Sequence, residues 1–152
     1  MNLHWHCKHH RELSKEELYA LLALRTRVFV VEQNCPYLEV DGQDLQGDTC
    51  HLLAWHAGEL QAYLRLLDPQ LQAGDVVIGR VVITPEARGL GLGHALMEHA
   101  LRACAERWPQ HPLYLSAQAH LRNYYGRYGF LPVTEVYLED GIPHIGMRRA
   151  SS

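Results

Sequence analysis

Val76-Val77-Ile78-Gly79-Arg80-Val81-Val82-Ile83-Thr84-Pro85-Glu86-Ala87-Arg88-Gly89-Leu90-Gly91-Leu92-Gly93-His94 is the stretch on which the fold turns. Its first eight residues are almost continuously apolar, the pattern of a central strand buried on both faces. Pro85 ends the strand, and three glycines at alternate positions follow. A helix is predicted from about Gly91 to Trp108, with Leu96, Ala100, Leu101, Cys104 and Trp108 on one face and Pro109 and Pro112 closing it. A strand, a glycine-rich turn and a helix N-terminus together make an anion site. The first turn of a helix presents unpaired N–H groups at the positive end of its dipole. Glycines let the backbone aim those groups at one phosphate and let the ligand come close. Arg88, Gly89, Leu90, Gly91, Leu92, Gly93 and His94 are therefore the candidate phosphate-binding residues. A Walker loop would need Gly-Lys-Ser/Thr, whereas His94 follows Gly93. A dinucleotide fingerprint would need Gly-x-Gly-x-x-Gly and an acid about 20 residues on; the next predicted strand here ends in Leu115-Ser116-Ala117.

Outward from this stretch, the chain alternates short apolar segments with turn signals. Leu3 to Cys7 alternates as a half-buried strand does. Ser14-Lys15-Glu16-Glu17 is a capping box opening a helix that carries Leu18, Leu21, Leu22, Arg25, Val28 and Phe29 at helical spacing. Tyr37 to Asp48 is rich in Gly and Asp and reads as a loop. His51–His56 and Gln61–Leu67 are strands of a hairpin turning at Ala57-Gly58-Glu59. Leu113–Ala117 is a strand, His120–Tyr128 a short helix stopped by Gly129, and Pro132–Leu138 and His144–Arg148 two closing strands. The order βα, ββ, βαβα, ββ predicts an α/β domain with a central mixed β-sheet flanked by helices on both faces. At 152 residues the whole chain, 1–152, is one domain.

Composition narrows the function classes. Apolar residues at 47% and charged residues at 20% allow a packed core and exclude a disordered chain. A formal net charge of −3 argues against nucleic acid as a partner. No apolar run approaches the roughly 20 residues of a membrane span. The N-terminus lacks the basic and apolar segments of an export signal, which predicts a cytoplasmic protein with Cys7, Cys35, Cys50 and Cys104 reduced. His4, His6, Cys7, His9 and His10 cluster in sequence, but alternation splits His4 and His6 from Cys7 and no chelating spacing recurs; no metal site is predicted.

Arg88-x-x-Gly91-x-Gly93 resembles the pyrophosphate loop of the GCN5-related N-acetyltransferase (GNAT) superfamily, and Val81-Val82-Ile83-Thr84-Pro85 resembles its splayed fourth strand. A second landmark, Tyr124-Tyr125-Gly126-Arg127-Tyr128-Gly129-Phe130, follows in the expected order. Arg27 to Gln33, Cys35-Pro36-Tyr37, Asp41 to Asp44, Ser116 to His120 and Glu139 to Met147 are similar to the ElaA branch. The resemblance implies the GNAT fold, acetyl-CoA as co-substrate and an amine acceptor, either a small molecule or a peptide. It implies that Val81, Val82 and Ile83 line the pantetheine arm and that a backbone N–H there polarises the thioester carbonyl. It places Tyr125 near the cofactor sulfur, as proton donor to the leaving thiolate or as a packing residue; a phenol and an alkyl thiol have similar pKa values, about 10. Asn123, within one helical turn of Tyr125, is either at the pantetheine amides or a surface residue.

The general base stays open. The strand 76–84 carries no acid, so the base comes from elsewhere, acts through water or is not needed; Glu32, Asp44 and His51 are the acceptor-side candidates, each with a solvated or capping role as its alternative. The acidic segment 32–48 is expected to recruit a cationic acceptor. Arg80, costly in an apolar strand, is expected to meet a carboxylate or a phosphate. A non-catalytic acyl-CoA sensor and a synthase resembling the autoinducer synthases are the rival readings. A homodimer is compatible with the sequence.

Overall fold

The computed structural model describes residues 1–151. Eight strands form one sheet: β1 (His4–His9), β2 (Cys50–His56), β3 (Glu59–Leu67), β4 (Val76–Ile83), β5 (Leu113–Gln118), β6 (Leu131–Pro132), β7 (Tyr137–Glu139) and β8 (Ile142–Arg149). Their order across the sheet is β1-β2-β3-β4-β5-β8-β6, with β7 also paired to β8. Every pairing is antiparallel except β4 with β5. The sheet is mixed, as the sequence implied.

Helices cover both faces. α1 (Lys15–Arg25) is capped by Ser14, whose Oγ accepts from the N–H of Glu17 at 3.0 Å. It widens into a π-helical stretch over Thr26–Glu32. Leu21, Leu24 and Val28 pack on Leu53, Tyr63 and Val82. α2 (Leu92–Arg107) lays Leu96, Met97, Ala100 and Cys104 on the opposite face, against Leu52, Leu64, Leu66, Ile78 and Leu115. The short α3 (Arg122–Gly126) joins α2 on that face, where Tyr125 packs against the same cluster. No helix among the described residues is long and apolar enough to cross a membrane.

Three local expectations are corrected. The single strand expected at Pro132–Leu138 is two short ones. Thr134 breaks the ladder: its Oγ1 takes the N–H of Gly146 at 2.8 Å, so the chain leaves β8 before returning as β7. The helix expected over His120–Tyr128 is a 3₁₀ turn at Ala119–Leu121 followed by the five residues of α3. β4 is not buried on both faces throughout. Gly79, Arg80 and Val81 are half-exposed because β5 leaves their edge, and that departure builds the site.

Candidate active site

β4 and β5 pair only at Val76–Leu113 and Val77–Tyr114 and then diverge. Beyond that point β4 bulges. Tyr63 of β3 pairs with Val82 and Arg65 with Gly79, so Arg80 and Val81 share the place of one residue. Arg80 takes a left-handed φ of +53°, unusual for a residue with a side chain and characteristic of a bulge placed for function. The divergence opens a cavity of about 550 Å³. Gly79, Arg80 and Val81 form one wall and Ser116 and Ala117 the other. Tyr125 reaches in from α3, and Tyr37 and His144 face it from the loop after α1 and from β8. Because β5 has left, this edge of β4 offers backbone groups that an extended amide-bearing ligand can pair with.

The glycine turn lies at the end of the same strand. Pro85–Ala87 makes a 3₁₀ turn, Arg88 is extended, and Gly91 caps α2 in a left-handed conformation with φ +77°, after Gly89 at +81°. No side chain caps this helix. Among the described residues no acceptor meets the N–H groups of Gly89 to Gly91, and the first-turn N–H groups of α2 have no intrahelical partner. A Cβ on Gly93 would stand 3.2 Å from the hydroxyl of Tyr124, so a bare backbone lets α3 approach α2 there. Leu92 is buried and offers the turn only its backbone, while Leu90 is exposed. His94 turns its Nδ1 to the Tyr128 hydroxyl at 2.5 Å and its Nε2 to Glu98. The loop thus offers a set of free N–H groups suited to a phosphate, beside the Arg88 guanidinium that Glu32 holds.

Tyr125 sits edge-on between Tyr124 and Phe130, at centroid distances of 5.1 and 6.4 Å. Its hydroxyl bonds to no group among the described residues. Burial, with Tyr124 beside it, pushes the phenol up to about 12, so it holds its proton at neutral pH. Asn123 is exposed on α3 and is not among the residues lining the cavity.

The three acceptor-side candidates are not brought together in this cavity. His51 is fully buried. Its Nδ1 meets the Tyr63 hydroxyl at 2.6 Å and its Nε2 the Asp44 carbonyl at 2.9 Å, and burial drives its pKa down to about 4. Both ring nitrogens are therefore occupied by the core. Asp44 is buried under Arg25 and Arg65, at 2.6 and 3.0 Å. Glu32 is exposed but pairs with Arg88 at 2.6 Å, beside the glycine turn. The acidic segment is likewise consumed. Glu39 bonds Arg25 and Arg80, each at 2.7 Å, and Asp41 bonds Arg65 at 3.0 Å and Arg80 at 3.2 Å. Glu39, Asp41 and Asp44 thus fix the loop onto the sheet and are not offered to a ligand, which corrects the recruiting role expected of them, while Asp48 stays exposed beside His9. Arg80 meets carboxylates, as its place in an apolar strand demanded.

The cavity's own ionisable groups lie elsewhere. Glu139, Asp140 and His144 line it from the β7–β8 hairpin. Glu139-Asp140-Gly141 lies between the two closing strands expected from the sequence, where neither acid was weighed. The available signal was two acids and a histidine in a run already noted as characteristic of the branch.

A parallel strand pair that splays beside a bulge, next to an uncapped glycine-rich helix N-terminus, defines the acyl-CoA-dependent transferases of the GNAT class. The family model described as an acetyltransferase (GNAT) domain matches residues 11–151, and the chain belongs to this family. Within it the chain is ElaA-like. It is 55% identical over 147 residues to protein ElaA of Escherichia coli K12, covering 97% of this chain and 96% of ElaA. The crystal structure of E. coli ElaA superposes with a TM-score of 0.93 over 97% of this chain and 99% of that one, at 54% identity. An acyl-CoA N-acyltransferase from Pseudomonas aeruginosa is 69% identical, with a TM-score of 0.97 over 98% of this chain and all of that one. A CoA-dependent acyl-homoserine lactone synthase, BjaI, shares the fold alone, at 19% identity and a TM-score of 0.77 over 97% of this chain and 82% of that one.

Proposed function

We propose that the protein is an acetyl-CoA-dependent N-acetyltransferase that moves the acetyl group to a primary amine by direct transfer in a ternary complex. Its setting would be the cytoplasm, in keeping with four free cysteines. One observation carries the reading. The unpaired edge of β4 and Tyr125 line one cavity, and β4 runs on through the turn at Pro85–Ala87 into the uncapped start of α2. Arg88 and the backbone from Gly89 to His94 take the pyrophosphate, and Val81 to Ile83 take the pantetheine arm, with Asn123 at its exposed side. The amine nitrogen attacks the thioester carbonyl; an N–C bond forms and the C–S bond breaks, sending its electron pair to sulfur. A backbone N–H near Val81 to Ile83 stabilises the oxygen as charge builds. Tyr125 gives the thiolate its proton and regains one from solvent. Glu139 and Asp140 at the cavity replace the 32–48 segment as the charges that favour a cationic amine, whether of a small molecule or a peptide.

The test is calorimetric titration with acetyl-CoA and dephospho-CoA, followed by thiol release over a panel of amines. The reading expects acetyl-CoA binding and amine-dependent thiol release. In Tyr125→Phe, turnover should fall by about 100-fold, the low end for general acid catalysis, with acetyl-CoA affinity kept. Binding without release on any amine would favour a sensor. Absence of binding would remove the assignment of Arg88 to His94.

A further inference from the structure

On the proposed transferase reading, we infer that His144 is the general base that takes the proton from the acceptor amine. The side chain lines the cavity and is buried, 8% exposed. Its Nδ1 lies 2.8 Å from the backbone carbonyl of Ile142. A carbonyl can only accept, so Nδ1 carries the hydrogen, and in the neutral ring Nε2 holds the lone pair. The Glu139 carboxylate stands 3.4 Å from Nε2, placed to hold the imidazolium once the proton has arrived. The Tyr137 ring lies alongside, with centroids 6.3 Å apart and planes 30° apart, and its own hydroxyl is engaged by Ser116. The ring is thus fixed by backbone, carboxylate and aromatic contacts together.

The position is as telling as the tautomer. On β5, Leu113, Leu115 and Ala117 enter the core under α2, leaving Ser116 and Gln118 on the other face. On β8, Ile145 and Met147 enter that same core, so His144, paired in register with Gln118, looks to the other face. Tyr125 comes from α3, on the α2 face. The splayed strands therefore stand between an acid on one side and a base on the other. A thioester held along β4 would present its sulfur to one and receive an amine from the other. Other ionisable groups around the cavity do not displace His144. Arg80 is held by Glu39 and Asp41, the Tyr37 hydroxyl donates to Glu39, and Tyr125 keeps its proton. Cys35 and Asp140 also line the cavity, but among the described residues no hydrogen bond orients either side chain. The balance is simple: the N–H proton of the amine goes to Nε2 and leaves for solvent from the exposed side of Glu139.

The experiment compares wild type, His144→Asn and His144→Ala for kcat/KM from pH 5.5 to 9, using acetyl-CoA and the most reactive amine of the panel. We expect wild type to show a rising limb from an imidazole, and His144→Asn to lose that limb and about 100-fold in kcat/KM near pH 7. Added imidazole should restore part of the rate in His144→Ala. Thermal midpoint and acetyl-CoA affinity, measured alongside, should stay unchanged in His144→Asn. Retention of the limb in His144→Asn, or of the full rate, would overturn the assignment. If wild type acetylates no amine, the transferase reading falls separately. Nitrogen-15 NMR of the His144 ring, assigned by its loss in His144→Asn, then tests the geometry alone. An Nδ1–H tautomer in the neutral ring supports a base there. An Nε2–H tautomer, or a ring that never ionises, removes it.

Discussion

Replacing Arg25 with Met tests whether the buried ion network holds the site together. Arg25 is fully buried and makes four bonds: Nε to Glu39 at 2.7 Å, Nη1 to Asp44 at 2.6 Å, and Nη2 to the Glu39 carbonyl at 3.1 Å and to Asp44 at 3.3 Å. Removing one partner of a buried ion pair costs about 3–5 kcal/mol, because the other charge is left without water or counterion. Here neither carboxylate is abandoned. Glu39 keeps Arg80 at 2.7 Å and Asp44 keeps Arg65 at 3.0 Å, so the lower end, about 3 kcal/mol, is expected. For a chain of this length that is a fall in thermal midpoint of about 6–12 °C. The deficit should depend on pH. Burial works to raise the carboxyl of Asp44, but bonds from Arg25 and Arg65 outweigh it and hold it below the usual carboxylate range. A depressed carboxyl stabilises the fold above its unfolded pKa of about 3.9 and loses that contribution as pH falls through the folded value. The difference between wild type and Arg25→Met should therefore be full above about pH 5 and shrink below about pH 4. Thermal melts followed by circular dichroism at pH 7, 5 and 3.5 measure it. A melt within about 2 °C of wild type at pH 7, or a deficit that widens toward acid, would refute the claim that these charges stabilise the fold.

Two smaller perturbations separate backbone geometry from contact. Gly91→Ala places a side chain at φ +77° with nothing within 4 Å of the new Cβ, so any loss is conformational, about 1–2 kcal/mol. If the turn relaxes to escape it, acetyl-CoA affinity by calorimetry should fall about tenfold, since 1.4 kcal/mol is a factor of ten. Ser14→Ala removes the acceptor that caps Glu17 N–H at 3.0 Å; a loss of about 1 kcal/mol, read as a fall of about 2–4 °C in midpoint, is expected with catalysis unaltered.

What was legible in the sequence was what local chemistry alone decides. Val76–Ile83 announced a strand through apolar continuity, and the glycines from 89 to 93 announced a turn into a helix, because both signals lie within a few residues of each other. Ser14 and Glu17 announced their cap for the same reason. The acceptor side was not legible, because its groups converge from distant segments. Asp44 and His51 looked available as polar residues in or beside a loop. Nothing local shows that Arg25 and Arg65 arrive to neutralise one and Tyr63 to occupy the other. His144 was hidden for the converse reason. Its candidacy depends on a carbonyl two residues away and on the departure of β5 from β4, and only the second of these makes a cavity for it.

Arg80 joins these two halves. Its left-handed backbone bulges β4 where β5 departs, and a conformation of that kind costs on the order of 1–3 kcal/mol unless its surroundings impose it. The surroundings are Glu39 and Asp41, which take its guanidinium at 2.7 and 3.2 Å, and those carboxylates are in turn shared with Arg25 and Arg65. The acidic loop that the sequence suggested as a lure for a cationic substrate thus acts one step back from the substrate. It anchors the side chain of the bulge residue, and the bulge sets the wall of the cavity in which Tyr125 and His144 stand on opposite sides. Neutralising that loop should therefore disturb catalysis through the shape of β4 even though none of its carboxylates needs to touch the amine.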